Sequence, residues 1–511
     1  MNILSADAYS ISSDSFASRE CKEFSTYNLT HRYSPEKNFP DLAKDSRIVT
    51  SGLNMAIEYL SNPITLEDIR QAKGFMSRAH SFGGVLPFNE SLWMRVLNEY
   101  DGYLPLTIYS VPDGTTVFPN EPVLTVTAMN GFGELAAHIE ARLLGTISKA
   151  TAMATICRHW FERLREQVKI DLDLLKLDHA VSIDDIARWQ IHNFGSRACS
   201  SEFESTLMGL AHLQSFNGTD NFDAAFKAWK SGCSPEIATS IPALAHRNIL
   251  GYDNEVDCFK AIADSTSGDN VRICSLVADC YNYKDAVTSI VSEARLHPEI
   301  MFVVRPDSGD AYEVIREVYN QCEEAGVYTE VNGYKLPKNI KVIYGDSVTP
   351  KSQFEVMRRL REMNVLPTQW VVWGVGGYLV NHATRDALSS AYKLCSRNYK
   401  PVVKLSETLS KMSVPDITEV VRYDDFTGQP TIFSADDCYS DGNSIMSCVY
   451  HNGQVDNLKK FQDVRDLTTK TFDELSQFCV NSPKHGLNRE VLSQPLQNIQ
   501  NETFNKYRNR Q

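Results

Sequence analysis

Several features of common protein classes are missing from this 511-residue sequence. It has no run of about 18 apolar residues, the minimum for a transmembrane helix. Its twelve cysteines form no CxxC pair and its twelve histidines no HxxxH spacing, which excludes the common zinc and thiol-redox motifs. The opening MNILSADAYSISSDSF lacks the basic flank and apolar run of a signal peptide. We therefore expect a cytoplasmic protein with reduced thiols and no permanent protein-bound metal.

An excess of positive charge is also missing. Lys and Arg number 51 against 64 Asp and Glu, which gives a formal net charge of −13. This balance argues against a general nucleic-acid or anionic-membrane binder. It leaves open a small phosphorylated ligand, because such a site needs only local positive charge.

Three standard nucleotide motifs are absent as well. There is no Walker GxxxxGK[ST] sequence, and GVGGYL lacks the last glycine of a GxGxxG dinucleotide fingerprint. The adjacent-acid diphosphate loop typical of one class of phosphoribosyltransferases is not found either. A phosphate site in this chain must therefore be built in another way.

What the sequence does contain is a series of short apolar runs that end in polar residues and are followed by helical patterns. From about residue 185 these units include VRICSLVADC, EIMFVVRPDSGD, KVIYGDSV and QWVVWGVGGYL. Six or seven such units predict a parallel sheet with crossover helices, because parallel strands cannot be joined by tight turns. We expect an incomplete α/β barrel over residues 181–394, with a doubly wound open sheet as the alternative.

The two chain ends have a different pattern. Residues 1–180 mix helices and strands, including one helical stretch over 133–175 with Gly145 as an expected break. After about residue 395 the crossovers stop, and hairpins are predicted around ITEVVRYDDFTGQPTIF and around Asn452-Gly453. We expect residues 1–180 and 395–511 to form one α+β domain.

The polar strand tips are candidates for ligand binding, because in an α/β barrel the functional groups sit at the carboxyl ends of the strands. Arg305 and Asp307 offer a cation and a carboxylate, and Gly345-Asp346 repeats the carboxylate beside a small residue. The GVGG sequence ending in Gly376 and Gly377 can expose backbone N–H groups to a phosphate. Together these tips favour a phosphorylated ribose as the ligand. Each one alone is more simply a structural loop.

Taken in order, these motifs resemble those of the nicotinate and nicotinamide phosphoribosyltransferase family. The resemblance runs through YDGYLPL, HNFGSR, FNGTD, SIPALAH, RPDSG, VIYGD, GVGG and TRD. It implies a type II phosphoribosyltransferase fold, in which an incomplete barrel is joined to a domain from both chain ends. It also implies a homodimer with shared active sites.

The resemblance assigns roles by position. Phe194 would stack on a pyridine ring, Tyr9 of the partner subunit would cover its other face, and Arg305 would lie beside it. Asp220, with Ser240 nearby, would accept a hydrogen bond from a carboxamide, which favours nicotinamide over nicotinate as the substrate. Arg197 and His246 would bind the diphosphate, and Asp307, Gly345 and Asp346 would bind the ribose. The 5′-phosphate would be bound by Gly376, Gly377, Arg385 and Lys393. The ligand channel would be lined by Arg32 of the partner subunit, Ser275 and Asp279.

The implied reaction moves phosphoribose from phosphoribosyl pyrophosphate to nicotinamide, releasing pyrophosphate. His246, Asp307 and Arg305 would be its catalytic residues. Mg²⁺ would enter with the diphosphate substrates, and ATP would be a co-substrate that phosphorylates His246. Ala245 stands where animal members of the family have Glu, which makes the strength of ATP coupling an open point.

Two alternatives remain at this stage. One is a nicotinate phosphoribosyltransferase, and Asp220 is the residue that separates it from the nicotinamide enzyme. The other is a non-catalytic binding protein on the same fold. No partner of the nucleic-acid or membrane class is expected.

Overall fold

Two compact units make up the chain in the computed structural model, which describes residues 1–81, 84–176, 182–267, 272–404, 413–422, 431–437, 443–481 and 492–508. One unit comprises residues 1–156 and 383–511, and the other comprises residues 157–382. The sequence placed these boundaries at 180/181 and 394/395. The observed first boundary lies within the long helix Glu140–Leu175. The second lies before the strand Ala391–Arg397, which pairs with the strand Phe24–Thr30 near the N-terminus.

A six-stranded parallel sheet forms the centre of the 157–382 unit. Along the sheet the strands are β10, β11, β14, β15, β8 and β9. Their bounds are β8 Ile191–Asn193, β9 Gly218–Thr219, β10 Ile273–Val277, β11 Met301–Arg305, β14 Ile340–Tyr344 and β15 Val371–Val375. Most of their residues are buried, as expected for a parallel sheet covered on both faces. The sheet curls into a half-barrel, so the predicted fold class is confirmed.

Helices follow these strands and cross back along the sheet. The helices of this unit after the long one are α8 Ile183–Arg188, α9 Glu202–Leu213, α10 Phe222–Lys230, α11 His246–Ile249, α12 Glu255–Ser267, α13 Tyr283–Leu296, α14 Ala311–Glu324, α15 Pro350–Glu362 and α16 Gly377–His382. Asn282, Asp310 and Thr349 cap the helices after β10, β11 and β14 through side-chain oxygens that accept backbone N–H groups. A small hairpin, β12 Tyr328–Val331 with β13 Tyr334–Pro337, precedes β14.

The unit of both chain ends is built on a seven-stranded sheet in the order β17, β16, β1, β7, β5, β21 and β22. The pairs are antiparallel throughout. Its strands are β1 Phe24–Thr30, β5 Leu106–Ser110, β7 Pro122–Met129, β16 Ala391–Arg397, β17 Lys400–Pro401, β21 Ser447–His451 and β22 Gln454–Val455. Strands from the C-terminal segment thus pair directly with N-terminal ones, as the sequence predicted.

Smaller pairs and helices complete this unit. The pairs are β2 Ile48–Val49 with β6 Thr116–Val117, β3 His80–Ser81 with β4 Gly84–Val85, and β18 Thr418–Arg422 with both β19 Thr431–Ser434 and β20 Asn443–Ser444. The helices are α1 Ala8–Ser12, α2 Arg19–Glu23, α3 Leu53–Leu60, α4 Leu66–Met76, α5 Glu90–Tyr100, α6 Gly133–His138, α17 Phe461–Glu474 and α18 Gln494–Arg508. Both predicted hairpins are present, and the turn residues 423–430 of the first lie outside the described part of the chain.

The predicted helix break at Gly145 is wrong. The helical stretch is interrupted at Ile139, between α6 and the long helix α7 Glu140–Leu175. Gly145 lies inside α7, where an added Cβ would meet nothing within 4 Å. One glycine in a helix interior costs only about 1 kcal/mol relative to alanine, too little to end a helix of 36 residues. Within the described residues, no helix is both long and apolar enough to cross a membrane.

A buried carboxylate ties the beginning of β15 to α7. Asp171 is fully buried and accepts the backbone N–H of Thr368 at 2.9 Å and its hydroxyl at 2.7 Å. The Nε of Arg361 donates to the other oxygen at 2.6 Å. Because β15 leads into the GVGG tip, this network fixes the base of a strand that carries candidate ligand-binding residues.

We expect Asp171→Asn to lower the free energy of unfolding by about 3 kcal/mol, because it leaves the Arg361 guanidinium without its charged partner in a largely buried place. Urea unfolding followed by circular dichroism measures this change. Glu355→Gln is the matched control, because it breaks an exposed pair with Arg358 and should leave the midpoint unchanged. Equal midpoints for wild type and Asp171→Asn would contradict the assigned role of the network.

Candidate functional site

A cavity of about 470 Å³ opens at the carboxyl ends of the parallel strands. Residues predicted from the sequence supply much of its wall: Phe194, Arg197, Arg305, Asp307, Gly345, Gly376 and Gly377. They come from β8, β11, β14 and β15, which are neighbours in the sheet. The parallel register explains why tips far apart in sequence meet here.

The ring of Phe194 lies against the backbone of β15. Its backbone N–H donates to the carbonyl of Val375 at 2.9 Å. A Cβ added to Gly374 would come within 2.1 Å of the ring carbon Cε2, and one added to Gly345 would come within 3.2 Å of the same atom. Glycine at position 374 is therefore required for the ring to occupy this place, and the strand backbone fixes the plane of the ring.

Arg305 stands over Phe194, with the guanidinium carbon 5.2 Å from the ring centroid. One terminal nitrogen of Arg305 lies 3.4 Å from Oδ1 of Asp307, a long contact for an ion pair. The Nε of Arg305 is buried and has no hydrogen-bond partner among the described residues. Buried donors without a partner are uncommon in folded proteins, and this one belongs to a residue that lines the cavity.

The loop after β11 is held in place from β14. The hydroxyl of Tyr344 donates to the carbonyl of Gly309 at 2.9 Å. Burial, followed by the charges of Asp346, Asp310 and Asp307, raises the pKa of Tyr344 to about 12. This side chain therefore remains a neutral hydrogen-bond donor, and the three carboxylates around it make this part of the rim strongly negative.

The remaining glycines and Asp346 take the expected places at the strand tips. Gly376 lies against the Phe194 carbonyl, 3.0 Å from where its Cβ would be, and Gly377 begins α16. Asp346 is exposed next to Gly345 and accepts a hydrogen bond from the Ser347 hydroxyl at 3.0 Å. Asp346 is not among the residues that line the cavity itself.

Asp220 and Ser240 form a second group at the tip of β9. The Ser240 hydroxyl donates to Oδ1 of Asp220 at 2.5 Å, and the Asp220 backbone N–H donates to the carbonyl of Asn193 at 3.0 Å. His192 lies one residue before Asn193, and burial lowers its pKa to about 4, opposed by the charge of Asp220. The second carboxylate oxygen of Asp220 remains able to accept a hydrogen bond from a ligand.

His246 and Asp279 meet beyond β10, with Nε2 of His246 3.1 Å from Oδ1 of Asp279. Ser275 acts through its backbone: its N–H donates to the carbonyl of Pro242 at 2.8 Å, and its carbonyl accepts the N–H of Leu244 at 2.9 Å. These bonds align the segment that ends in His246 with β10. An imidazole and a carboxylate thus meet at this end of the sheet, a pairing that the sequence did not predict.

The other four predicted residues belong to the unit of both chain ends. Arg32 donates to the backbone carbonyl and hydroxyl of Ser389 at 2.9 and 3.1 Å. Burial lowers the pKa of Lys393, as do the charges of Arg32, Lys404 and Arg385, whereas Glu140 opposes them. A cluster of positive charges such as this one favours binding of an anion. Tyr9 is an exposed side chain on α1.

Several cavity-lining residues were missed by the sequence analysis: Ser347, Val348, Thr349, Tyr378 and Asn381. Each lies one to five residues beyond a predicted tip. Ser347 is distinguished by its backbone, because a φ of 50° is uncommon for a non-glycine residue. That conformation is visible in the structure and cannot be read from the sequence.

No group of three or more His, Cys, Asp or Glu side chains in the described residues is arranged to hold a metal ion. The carboxylates of Asp279, Asp307 and Asp346 stand on separate strand tips.

Sequence comparison matches residues 189–424 to the nicotinate phosphoribosyltransferase (NAPRTase) family. A nicotinamide phosphoribosyltransferase of Xanthomonas campestris is 28% identical over 346 residues, which cover 66% of this chain and 70% of that protein. Another from Acinetobacter baylyi is 26% identical over 391 residues, covering 69% and 74%. A nicotinate phosphoribosyltransferase of Bacillus subtilis is 23% identical over 382 residues, covering 73% and 64%.

Two solved structures have a similar fold. Human nicotinic acid phosphoribosyltransferase superposes with a TM-score of 0.61 at 14% identity, covering 98% of this chain and 99% of that one. A nicotinate-nucleotide pyrophosphorylase of Pyrococcus furiosus gives 0.57 at 15% identity, covering 92% and 95%. Residues 189–424 are therefore similar to the nicotinate phosphoribosyltransferase (NAPRTase) family.

Proposed function

We propose that this protein transfers phosphoribose from phosphoribosyl pyrophosphate to the ring nitrogen of nicotinamide, giving nicotinamide mononucleotide and pyrophosphate. The observation that carries the proposal is the meeting of Phe194, Arg305 and Asp307 in one cavity at the strand ends. Two of the matched relatives are nicotinamide phosphoribosyltransferases.

A flat aromatic amide suits this cavity. Phe194 offers a ring whose plane is fixed by Gly374, and a pyridine ring can stack on it. The Arg305 guanidinium, 5.2 Å from the Phe194 centroid, can interact with a π face or with a polar ring substituent. The buried Nε of Arg305 supplies a donor that this ligand can use.

Asp220 supports the amide over the acid. Its Oδ1 accepts the Ser240 hydroxyl, so the free oxygen can accept an N–H of a carboxamide. The carboxylate of nicotinate would instead bring two negative charges together at this point. Discrimination by a repulsive group of this kind is a common source of specificity.

The phosphoribose part can use the remaining tips. Asp307 and Asp346 are acceptors suited to ribose hydroxyls, and Arg197 and His246 are donors suited to the diphosphate. In the other unit, Arg32, Arg385 and Lys393 form a cation cluster. Burial lowers the pKa of Lys393, the neighbouring cations add to this, and phosphate oxygens there would offset their repulsion.

The reaction then follows from charge and position. The C1–O bond to pyrophosphate breaks as the ring nitrogen approaches, and positive charge develops on the ribose. Negative charge on the departing diphosphate, which arrives with Mg²⁺, is offset by Arg197 and by His246 when protonated. Holding the two substrates in line supplies much of the remaining rate enhancement.

ATP as a co-substrate is part of the same proposal. Transfer of its γ-phosphoryl group to a His246 nitrogen would give ADP and a phosphohistidine, and water would later release phosphate. Asp279 fixes one ring nitrogen of His246.

The proposal also includes a homodimer in which Tyr9 and Arg32 serve the partner subunit. Sedimentation equilibrium measures the number of subunits. A monomer at the protein concentration of the activity assay would contradict the proposed homodimer.

Replacing Asp220 by Ser should lower the preference for nicotinamide over nicotinate, because it removes the repulsion toward the acid. We expect the ratio of the two kcat/KM values to fall by at least about tenfold, or about 1.4 kcal/mol. Mononucleotide formation is measured with each base, with and without ATP. Asp223→Ser, an exposed change three residues away on α10, is the control. If wild type prefers nicotinate, the substrate assignment is wrong.

Replacing Gly374 by Ala should raise KM for the base by about tenfold or more, because the new methyl group displaces the Phe194 ring. KM for phosphoribosyl pyrophosphate should change far less. Gly145→Ala, where a Cβ meets nothing within 4 Å, is the control. Thermal unfolding of each variant shows whether the fold is retained. An unchanged KM for the base in folded Gly374→Ala would show that the ring of Phe194 does not contact it.

Nicotinate is the second candidate substrate, on the strength of one specific observation. The Nε of Arg305, which has no hydrogen-bond partner in the described part of the chain, is a suitable donor for a ligand carboxylate. A nicotinate enzyme would respond to Asp220→Ser with little change in its preferred base, which the same assay detects.

A further inference from the structure

Both oxygens of the Asp279 carboxylate are bonded, each by a different part of the chain. The Ser308 hydroxyl donates to Oδ2 at 2.6 Å, and Nε2 of His246 lies 3.1 Å from Oδ1. Asp279 follows β10 and Ser308 follows β11, and these two strands pair in parallel from Ile273 with Met301 to Val277 with Arg305. The register of the sheet thus brings Ser308 to Asp279.

The backbone beyond Asp279 is also fixed. Glu255, the first residue of α12, is buried and accepts the N–H of Tyr281 at 3.3 Å. Burial raises the pKa of Glu255, and hydrogen bonds from the N–H groups of Tyr281, Asn282 and Cys280 oppose that rise. With its backbone held, Asp279 retains freedom chiefly in its own side-chain torsions.

The hydroxyl of Ser308 removes that freedom. The terminal torsion of an aspartate is broad and roughly twofold, so one bond to an imidazole does not define it. His246 contributes little restraint, because 42% of its side chain is exposed, and an exposed pair of this kind is weak by itself. A short hydrogen bond from a hydroxyl to a carboxylate is among the stronger ones.

We propose that Ser308 is a positioning residue that orients the His246 imidazole through Asp279. With Oδ2 held by Ser308, Oδ1 receives the proton of Nε2. Asp279 thereby selects one tautomer of the ring. When neutral, the ring presents the lone pair of Nδ1, which can attack a phosphoryl group; when protonated, it presents the Nδ1–H donor to a diphosphate. This inference rests on the proposed function for the role of His246, but the orientation itself is a property of the free protein.

Ser308 is not needed to hold its own loop. Tyr344 bonds the carbonyl of Gly309, and Asp310 caps α14 by accepting the N–H of Glu313 at 3.0 Å. Removing the Ser308 hydroxyl should therefore leave the loop and the helix in place. Its effect should appear at Asp279 and His246.

The test compares wild type, Ser308→Ala and Ser308→Thr, with Ser292→Ala on the surface of α13 as the control. Nitrogen-15 NMR of histidine-labelled protein, with His246 assigned through His246→Gln, reports the tautomer without any substrate. In Ser308→Ala we expect the His246 signals to shift from the Nε2-protonated form toward a mixture. Ser308→Thr should retain the wild-type signals.

Steady-state kinetics give the second readout. Ser308→Ala should raise KM for phosphoribosyl pyrophosphate by about fivefold, the size of one typical hydrogen bond, with KM for the base unchanged. The inference is overturned if Ser308→Ala keeps the wild-type His246 signals and the wild-type KM. It is also overturned if Ser308→Ala loses activity equally for every substrate and Ser308→Thr does not restore that activity. If wild type makes no mononucleotide but the NMR shift occurs, the proposed function fails and the positioning role stands.

Discussion

Parallel pairing of short strands is the constraint on which the site depends. In a parallel sheet every strand delivers its carboxyl end to the same edge, so residues 194, 220, 279, 305, 346 and 376 reach one rim although they are far apart in sequence. The strands themselves are only two to five residues long, and most of their residues are buried. The polar groups open to solvent and ligand are therefore found mainly at the tips.

At these tips the protein places charges that do not fully satisfy one another. Among the described residues, the buried Nε of Arg305 has no hydrogen-bond partner, and Ser240 bonds only one of the two oxygens of Asp220. Such arrangements are unfavourable in the empty protein, and they become favourable when a ligand of matching charge is bound. The carboxylates are suited to an amide and to ribose hydroxyls, and the cations to phosphates. One ligand pair, a pyridine amide with a phosphorylated ribose diphosphate, would use both kinds of group.

Much of this arrangement could be predicted from the sequence, for identifiable reasons. The apolar runs ending in Asp, Arg or Gly are local patterns, and their succession fixes a parallel sheet and hence the rim. The contact of Phe194 with Gly374 could not be predicted, because it depends on how two strands lie side by side. Ser308 belongs to the RPDSG motif, which is visible in the sequence. Its bond to Asp279 could not be predicted, because it depends on the register of β10 and β11. Gly145 misled the helix assignment because its local propensity is weaker than the packing of α7. The domain boundaries differ because helix α7 runs through one of them.

The central claim is that a pyridine amide lies on Phe194 with its amide at Asp220. A crystal structure with nicotinamide mononucleotide and pyrophosphate tests this most directly. We expect electron density for the pyridine ring stacked on Phe194. We also expect the amide nitrogen to lie within hydrogen-bonding distance of the Asp220 oxygen that Ser240 does not bond. Density for the ring elsewhere, or a carboxamide turned away from Asp220, would contradict it.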